Sequence, residues 1–407
     1  MSVMDPTAKA RIATAAGAGN LGRVGVVLLA LGAAICAAAL LVDRDVQRFG
    51  FAYLWGYAFL WVVVLGSLFL VMLHHLARAV WSVVVRRVAE TVAAATGVAA
   101  VLFLPILLFG VLTDQFHLFP WVDEHLVHAD HRLFKKALYL NVPFFSARAV
   151  LFFALWVAFA FYYVRTSLRQ DRGQGGAEAT ARMRRLSAPF MVLFALTVTF
   201  ASFDWLMSLE PRWYSTMFGV YVFSGMAVTA FAVLTLGVLW LRDTGRLEPG
   251  LITEDHLYNL GAWLFAWTCF WAYIAFSQYM LIWYGNLPEE TFYMVRRLSG
   301  GWWFVSIALA LVRFVVPFLV LLSRRAKTNA GVLRTMAVWV LLGQLLDLYW
   351  LVMPQLHGAG PVLGWQELGP LVLMIGVLLV CVARFLGRHA PVAVGDPLLE
   401  ESKRFHL

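Results

Sequence analysis

The chain alternates between long apolar runs and short polar segments. Ten runs can be counted, each close to the roughly 20 residues that a helix needs to cross a hydrocarbon core of about 30 Å. They cover residues 24–42, 51–73, 91–113, 142–164, 186–209, 213–241, 257–287, 298–322, 336–353 and 368–382. Because backbone groups in lipid must pair within their own segment, the runs predict helices, and their length argues against the shorter strands of a β-barrel. The predicted fold is an all-α polytopic membrane protein with about ten transmembrane helices.

The composition agrees with this class and excludes others. Hydrophobic residues make up 62% of the 407 positions and charged residues 14%, whereas soluble chains carry about 45–50% and about 25%. A soluble enzyme, a disordered protein and a fibrous protein are therefore excluded. The three cysteines lie alone in separate runs, so this chain by itself provides no cysteine-ligated iron–sulfur cluster and no c-type haem attachment.

Basic residues indicate the orientation. Of the 32 lysines and arginines, 22 lie in the N-terminal segment, the even-numbered loops and the C-terminus, and 8 lie in the odd-numbered loops. The other two, Arg148 and Arg313, lie inside runs. Because cytoplasmic segments carry the excess of Lys and Arg, we expect both termini in the cytoplasm. The net charge of +9 is then a topology signal, and nucleic acid is not expected as a partner.

A repeated motif predicts two similar halves. Asp204 is followed by Pro211 and Asp347 by Pro354, so both motifs read Asp-x6-Pro near the end of a run. The motifs lie four runs apart, which predicts a parallel repeat of two four-helix bundles. The expected segments are 1–50 (N-terminus and first helix), 51–212 (first bundle), 213–356 (second bundle) and 357–407 (last helix and tail). The alternative is a coincidence between two aromatic-rich helix ends.

The two aspartates are the main candidates for a proton path. An ionisable group inside the hydrocarbon costs roughly 2.5–3.5 kcal/mol on insertion scales, so each needs a compensating role or partner. Gln344 lies one turn before Asp347, and Thr197 lies two turns before Asp204 on a stripe of small and polar residues. This stripe could relay protons, or it could serve close helix packing.

Three more residues of the predicted membrane region belong to the candidate proton path. His74 and His75 end the second run, where they could take up protons or anchor the helix at the interface. Adjacent positions point about 100° apart, so we expect only one of them to face the bundle. Arg313 should pair with an acid or a carbonyl, and Pro317 leaves the carbonyl of Arg313 without its usual partner. A structural kink at Pro317 is the alternative.

A second group of polar residues lies near the predicted outer ends of the helices. Gln278 and Tyr279 could hydrogen-bond a quinone oxygen or a neighbouring helix, and Asp114 and His117 lie where a quinol would release protons. In the loop that follows, the spacing of His125, His128 and His131 makes a metal site conceivable, but a docking surface fits the loop better. We therefore predict no metal ligands and no catalytic residue in this chain.

Two long motifs carry a family resemblance. Residues 202–219 read SFDWLMSLEPRWYSTMFG, and residues 276–290 read FSQYMLIWYGNLPEE. Both resemble the ActF-type subunits of bacterial alternative complex III, within the NrfD/PsrC-like family of quinone-interacting membrane proteins. The resemblance covers about residues 24–390 and implies ten helices with two four-helix bundles.

The resemblance implies a subunit of a quinol:electron-acceptor oxidoreductase in the bacterial inner membrane. The implied partners are an ActC-like paralogue, an iron–sulfur protein, multihaem cytochrome c subunits and a possible terminal oxidase. Haem c and iron–sulfur clusters would lie on those partners, and none would be bound by this chain alone. Menaquinol or another quinol could bind. ActF-type subunits are proposed to take part in proton transfer, so a proton-conducting subunit is the first hypothesis. A quinol-binding redox subunit and an independent transporter are the alternatives.

The proton hypothesis makes a demand on Asp204. Burial in an apolar helix favours the neutral acid, unless a cation such as Arg148 or Arg212 lies beside it. A carboxyl that exchanges protons can serve a path, whereas one locked in an ion pair cannot. If Asp204 exchanges protons, Asp204→Asn should leave assembly intact and reduce proton movement.

Overall fold

The computed structural model describes residues 20–407, which contain ten helices long and apolar enough to cross a membrane. They are α1 (Asn20–Asp43), α2 (Val46–Leu76), α3 (Val80–Leu112), α4 (Val142–Asp171), α5 (Gly176–Leu209), α6 (Phe218–Asp243), α7 (Glu254–Gly285), α8 (Trp302–Leu321), α9 (Ala330–Gln355) and α10 (Trp365–Leu386). No strand occurs in these residues, so the predicted fold class is confirmed. Residues 1–19 of the first expected segment lie outside the described part.

The third helix begins eleven residues before the predicted run, because its first turns carry charges that the fold neutralises. Arg86 and Arg87, which the charge count assigned to a loop, are buried on this helix, and that assignment was wrong. The Arg86 guanidinium contacts Glu90 Oε1 at 3.1 Å and Asp396 Oδ2 at 2.6 Å, and Arg87 Nη2 contacts Asp171 Oδ2 at 2.6 Å. Two of these acids come from distant parts of the chain, so the apolar pattern around residue 86 could not reveal them.

The helix α2 lies at the centre of the protein, and almost all of its residues are buried. It packs against α3 and α5, and also against α6, α9 and α10. Glycines permit the closest approaches. A Cβ at Gly56 would lie 2.9 Å from the backbone nitrogen of Leu371 on α10, and one at Gly32 on α1 would lie 2.3 Å from that of Leu373. Small residues at these crossings are typical of packed membrane helices.

The segments between helices collect on two opposite faces. The C-terminal face carries residues 387–407, where Ser402 Oγ donates to the Trp81 carbonyl at 3.1 Å and the Gly395 amide donates to Asp171 Oδ1 at 3.0 Å. The loop face carries residues 113–141, where Lys136 Nζ donates to the Pro211 carbonyl at 2.6 Å. The C-terminal tail therefore ties together the α2–α3 and α4–α5 connections.

Candidate functional site

Two arginine–aspartate pairs lie between neighbouring helices. In the first, Arg148 of α4 donates from Nε to Asp204 Oδ2 at 2.7 Å and from Nη2 to Oδ1 at 2.9 Å. Its Nη1 donates to the Tyr139 carbonyl at 3.0 Å, and the rings of Tyr139 and Phe144 lie 3.9 and 4.3 Å from the guanidinium carbon. Both carboxylate oxygens of the buried Asp204 are thus held by one two-pronged pair, the strongest geometry for Arg and a carboxylate.

The second pair, Arg313 of α8 and Asp347 of α9, is bonded differently. The phenol of Tyr221 donates to Asp347 Oδ1, and the indole Nε1 of Trp271 donates to Oδ2 at 3.2 Å. Arg313 Nη2 lies 3.2 Å from the same Oδ2, but Nε and Nη2 of this arginine donate no hydrogen bond to a described residue. Asp347 is therefore stabilised mainly by hydrogen bonds from neutral donors. The neighbouring Arg313 keeps N–H groups that have no acceptor among the described residues.

The two pairs occupy equivalent helices of the predicted repeat. In each, the arginine comes from the last helix but one of its four-helix set and the aspartate from the last helix. The repeat predicted the correspondence of the aspartates, and Arg313 was expected to pair with an acid or a carbonyl; its partner is an acid. Arg148 was considered only as a cation that could oppose proton exchange at Asp204, and the structure places it in that position.

Glycines make room for the second pair. A Cβ at Gly225 would lie 2.9 Å from Gln344 Oε1 and 3.2 Å from Arg313 Nη2, and one at Gly343 would lie 2.9 Å from Arg313 Cδ. Gln344 is buried and accepts a hydrogen bond from Thr229 Oγ1 at 3.2 Å. Gln344, Arg313 and Asp347 therefore belong to one polar cluster inside the helices α6 to α9.

The arginine also lies where α8 changes its winding. Residues Leu311–Val315 form a π-helical turn, in which a carbonyl accepts from the N–H five residues later. For the Val312 carbonyl that residue is Pro317, which has no N–H. The indole Nε1 of Trp339 donates to that carbonyl instead, at 2.9 Å. The sequence predicted a freed carbonyl one residue later, at Arg313, because it assumed regular α-helical bonding.

The polar stripe on α5 is occupied by packing contacts. Thr197 Oγ1 donates to the Leu193 carbonyl at 2.8 Å and accepts from Trp156 Nε1 at 2.9 Å. Ser208 Oγ donates to the Asp204 carbonyl and accepts from Trp121 Nε1 at 3.1 Å. These bonds tie α5 to α4 and to the loop face, and they favour the packing interpretation of the hydroxyls.

Both histidines at the end of α2 are buried, so the prediction that only one would face the bundle was wrong. The reason is that α2 is enclosed on all sides. The ring of His74 meets Trp81 edge-on, and the ring of His75 stacks on Tyr163 of α4. Both nitrogens of His74 and Nε2 of His75 have no hydrogen-bond partner among the described residues. They remain candidates for proton uptake near the C-terminal face.

The four predicted quinone residues are not brought together. Gln278 and Tyr279 line a cavity of about 780 Å³ among the helices α6 to α9, formed mainly by α7 and α8, and its other lining is almost entirely apolar. Asp114 and His117 do not line it; they contact each other on the loop face, with 3.3 Å between His117 Nδ1 and Asp114 Oδ2. Burial raises the pKa of Asp114, while the contact with His117 lowers it.

The loop histidines do not share one helix. The short helices Glu124–Ala129 and His131–Lys136 are separated by Asp130, whose carboxylate accepts from the Arg132 amide at 2.9 Å. Within residues 20–407 no group of three His, Cys, Asp or Glu side chains could hold a metal ion.

Sequence reasoning missed Tyr221 and Trp271, the two hydrogen-bond donors to Asp347. Each lies in an aromatic-rich run, and no local pattern distinguishes it from its packed neighbours.

No protein-family model and no curated protein sequence matches this chain. The fold and the contacts above describe a multi-pass helical membrane protein in which several ion pairs are buried, among them Arg148–Asp204 and Arg313–Asp347.

The ion pair of Asp204 with Arg148 changes what we expect of Asp204→Asn, which was predicted to leave assembly intact. Asp204→Asn would leave the buried Arg148 without a counter-charge, which typically costs about 3–5 kcal/mol. We expect a marked fall in the thermal unfolding temperature of the purified protein. The double variant Asp204→Asn/Arg148→Gln should recover part of the loss, because it removes both charges. A single variant as stable as the parent protein would contradict the structural role of the pair.

Proposed function

We propose that this chain is an integral membrane subunit of a multi-subunit quinol:cytochrome c oxidoreductase, or of one with an equivalent acceptor, and that it moves protons at Asp347. The observation that carries the proposal is the hydrogen bond between Tyr221 and Asp347, which joins two groups that can each hold a proton. Asp204 is excluded from this role because both of its oxygens are engaged by Arg148.

The arrangement around Asp347 suits reversible proton binding. Its carboxylate can take a proton while Tyr221 gives one up and receives another. Arg313 lies beside Asp347 and has N–H groups without an acceptor among the described residues. This cation therefore stabilises the ionised carboxylate of Asp347, but it does not hold both oxygens as Arg148 holds those of Asp204. Gln344 and Thr229 continue the polar track one turn further towards the C-terminal face, which we take as cytoplasmic from the distribution of Lys and Arg.

The electron carriers of this proposal lie on other subunits. The resemblance of residues 202–219 and 276–290 to ActF-type subunits supports an iron–sulfur protein, multihaem cytochrome c subunits and an ActC-like paralogue as partners. Exposed aromatic side chains near the loop face, such as Tyr214, Tyr284 and Trp303, give such partners a large apolar contact area.

Removal of the Tyr221 hydroxyl tests the proposal. Tyr221→Phe should lower quinol-driven proton movement by at least about tenfold, since positioned proton donors contribute about 10²–10⁴-fold in rate. Asp347→Asn should act in the same direction. The complex would be reconstituted in vesicles, and electron transfer and pH change would be recorded together.

The control is Tyr349→Phe, which removes the hydroxyl of an equally buried tyrosine on α9, whose partner is the Val362 carbonyl. Equal proton movement in the Tyr221, Asp347 and Tyr349 variants would rule out this path.

Quinol binding is the second candidate function, and the cavity lined mainly by α7 and α8 favours it. Its volume of about 780 Å³ suits a ring with part of an isoprenoid tail. Gln278 lines it, is buried, and makes no side-chain hydrogen bond to a described residue. Tyr221 and Trp271 also line it, so a quinol there would lie beside the donors of Asp347.

Filling the cavity tests this candidate. Ala275→Phe should raise the KM for a short-chain quinol about tenfold, because the new ring takes up the space of the substrate. Ala266→Phe is the matched control, since Ala266 is an exposed residue of the same helix and does not line the cavity. An unchanged KM in a folded Ala275→Phe protein would place the quinol site elsewhere.

A further inference from the structure

An arginine cluster lies at the end of α4, on the C-terminal face. Arg165, Arg169 and Arg172 are exposed, and none of them makes an ion pair or side-chain hydrogen bond with a described residue. Arg165 only lies over the Phe161 ring, at 5.2 Å. The acids nearest in sequence already have partners, because Asp171 binds Arg87 and Glu178 binds Arg182. The cluster is therefore a concentration of positive charge that the protein itself does not neutralise.

Two grooves flank this cluster. One, of about 650 Å³, lies between α3 and α4; the other, of about 470 Å³, lies between α4 and α5. Arg165 and Arg169 line both grooves, so they stand on the ridge between them. The first groove opens where α3 breaks at Ala94–Ala95, and a Cβ at Gly97 would meet nothing within 4 Å.

The grooves are charged at one end and apolar at the other. Val157 and Ala160 line the first groove on the side of the membrane interior, and the arginines line its end at the C-terminal face. From Val157 to Arg165 the helix rises ~12 Å, which lies within the roughly 15 Å of hydrocarbon in one leaflet. A ligand that fills such a site has a negative head and long apolar chains.

We propose that these grooves bind an anionic phospholipid, with its phosphodiester on Arg165, Arg169 and Arg172 and its acyl chains along α3, α4 and α5. Arginine suits phosphate oxygens because its planar fork offers paired donors. Basic pockets between membrane helices at the leaflet surface are typical sites for such headgroups. The apolar walls favour a lipid over free phosphate, because a free phosphate would leave them empty.

The test compares two pairs of arginines with the same exposure. Full-length protein, in whatever complex it purifies with, would be titrated with phosphatidylglycerol or phosphatidylcholine, and bound lipid would be counted by native mass spectrometry. We expect phosphatidylglycerol to be retained in preference to phosphatidylcholine. Arg165→Gln/Arg169→Gln should weaken that retention about tenfold or more.

The control is Arg324→Gln/Arg325→Gln, which removes two exposed arginines of the same face that have no carboxylate partner and line neither groove. Its lipid retention should stay within about twofold of the parent protein. Gly97→Leu keeps every charge but fills the apolar end, and it should also weaken retention. Equal losses in the two arginine variants, unchanged retention in Arg165→Gln/Arg169→Gln, or displacement of the lipid by millimolar inorganic phosphate would each overturn the proposal.

Discussion

The structure depends on one constraint: a charge inside the membrane region must find an opposite charge or a set of hydrogen bonds within the protein. Arg148, Arg313, Arg86 and Arg87 are all buried, and each meets a carboxylate from another part of the chain or from the next turn. The pairs with distant acids join α4 with α5, α8 with α9, and α3 with the end of α4 and with the C-terminal tail. The ion pairs thus fix how the helices are placed, while the glycine contacts between α1, α2 and α10 set how closely they approach.

The two aspartates of the repeated motif have different bonding partners. Asp204 is fully engaged by Arg148, with aromatic rings against the guanidinium, which is the geometry of a structural pair. Asp347 receives bonds from Tyr221 and Trp271 and lies beside a large apolar cavity that those two residues line. One aspartate of the repeated motif is therefore locked in an ion pair, and the other, bonded mainly by neutral donors, is the one on which we base the proposal of proton exchange.

Apolar runs predicted the number and type of the helices because lipid requires about 20 apolar residues per crossing, and that signal is local. The start of α3 was missed because the partners of Arg86 and Arg87, Asp396 and Asp171, lie far away in sequence. The repeat predicted that Asp204 and Asp347 correspond, but it carried no information on which donors surround each. Those donors come from helices whose relative rotation depends on packing, which a one-dimensional pattern does not contain.

The claim that this chain works as a subunit of a quinol-oxidising complex is tested most directly by purification from the membranes that produce it. A tag on the chain and a mild detergent would be used, followed by a haem spectrum and a quinol oxidation assay of the eluate. We expect a particle that contains c-type haem and an iron–sulfur protein and that oxidises quinol. A monodisperse chain that elutes alone, without haem, from membranes in which it is stable would contradict it.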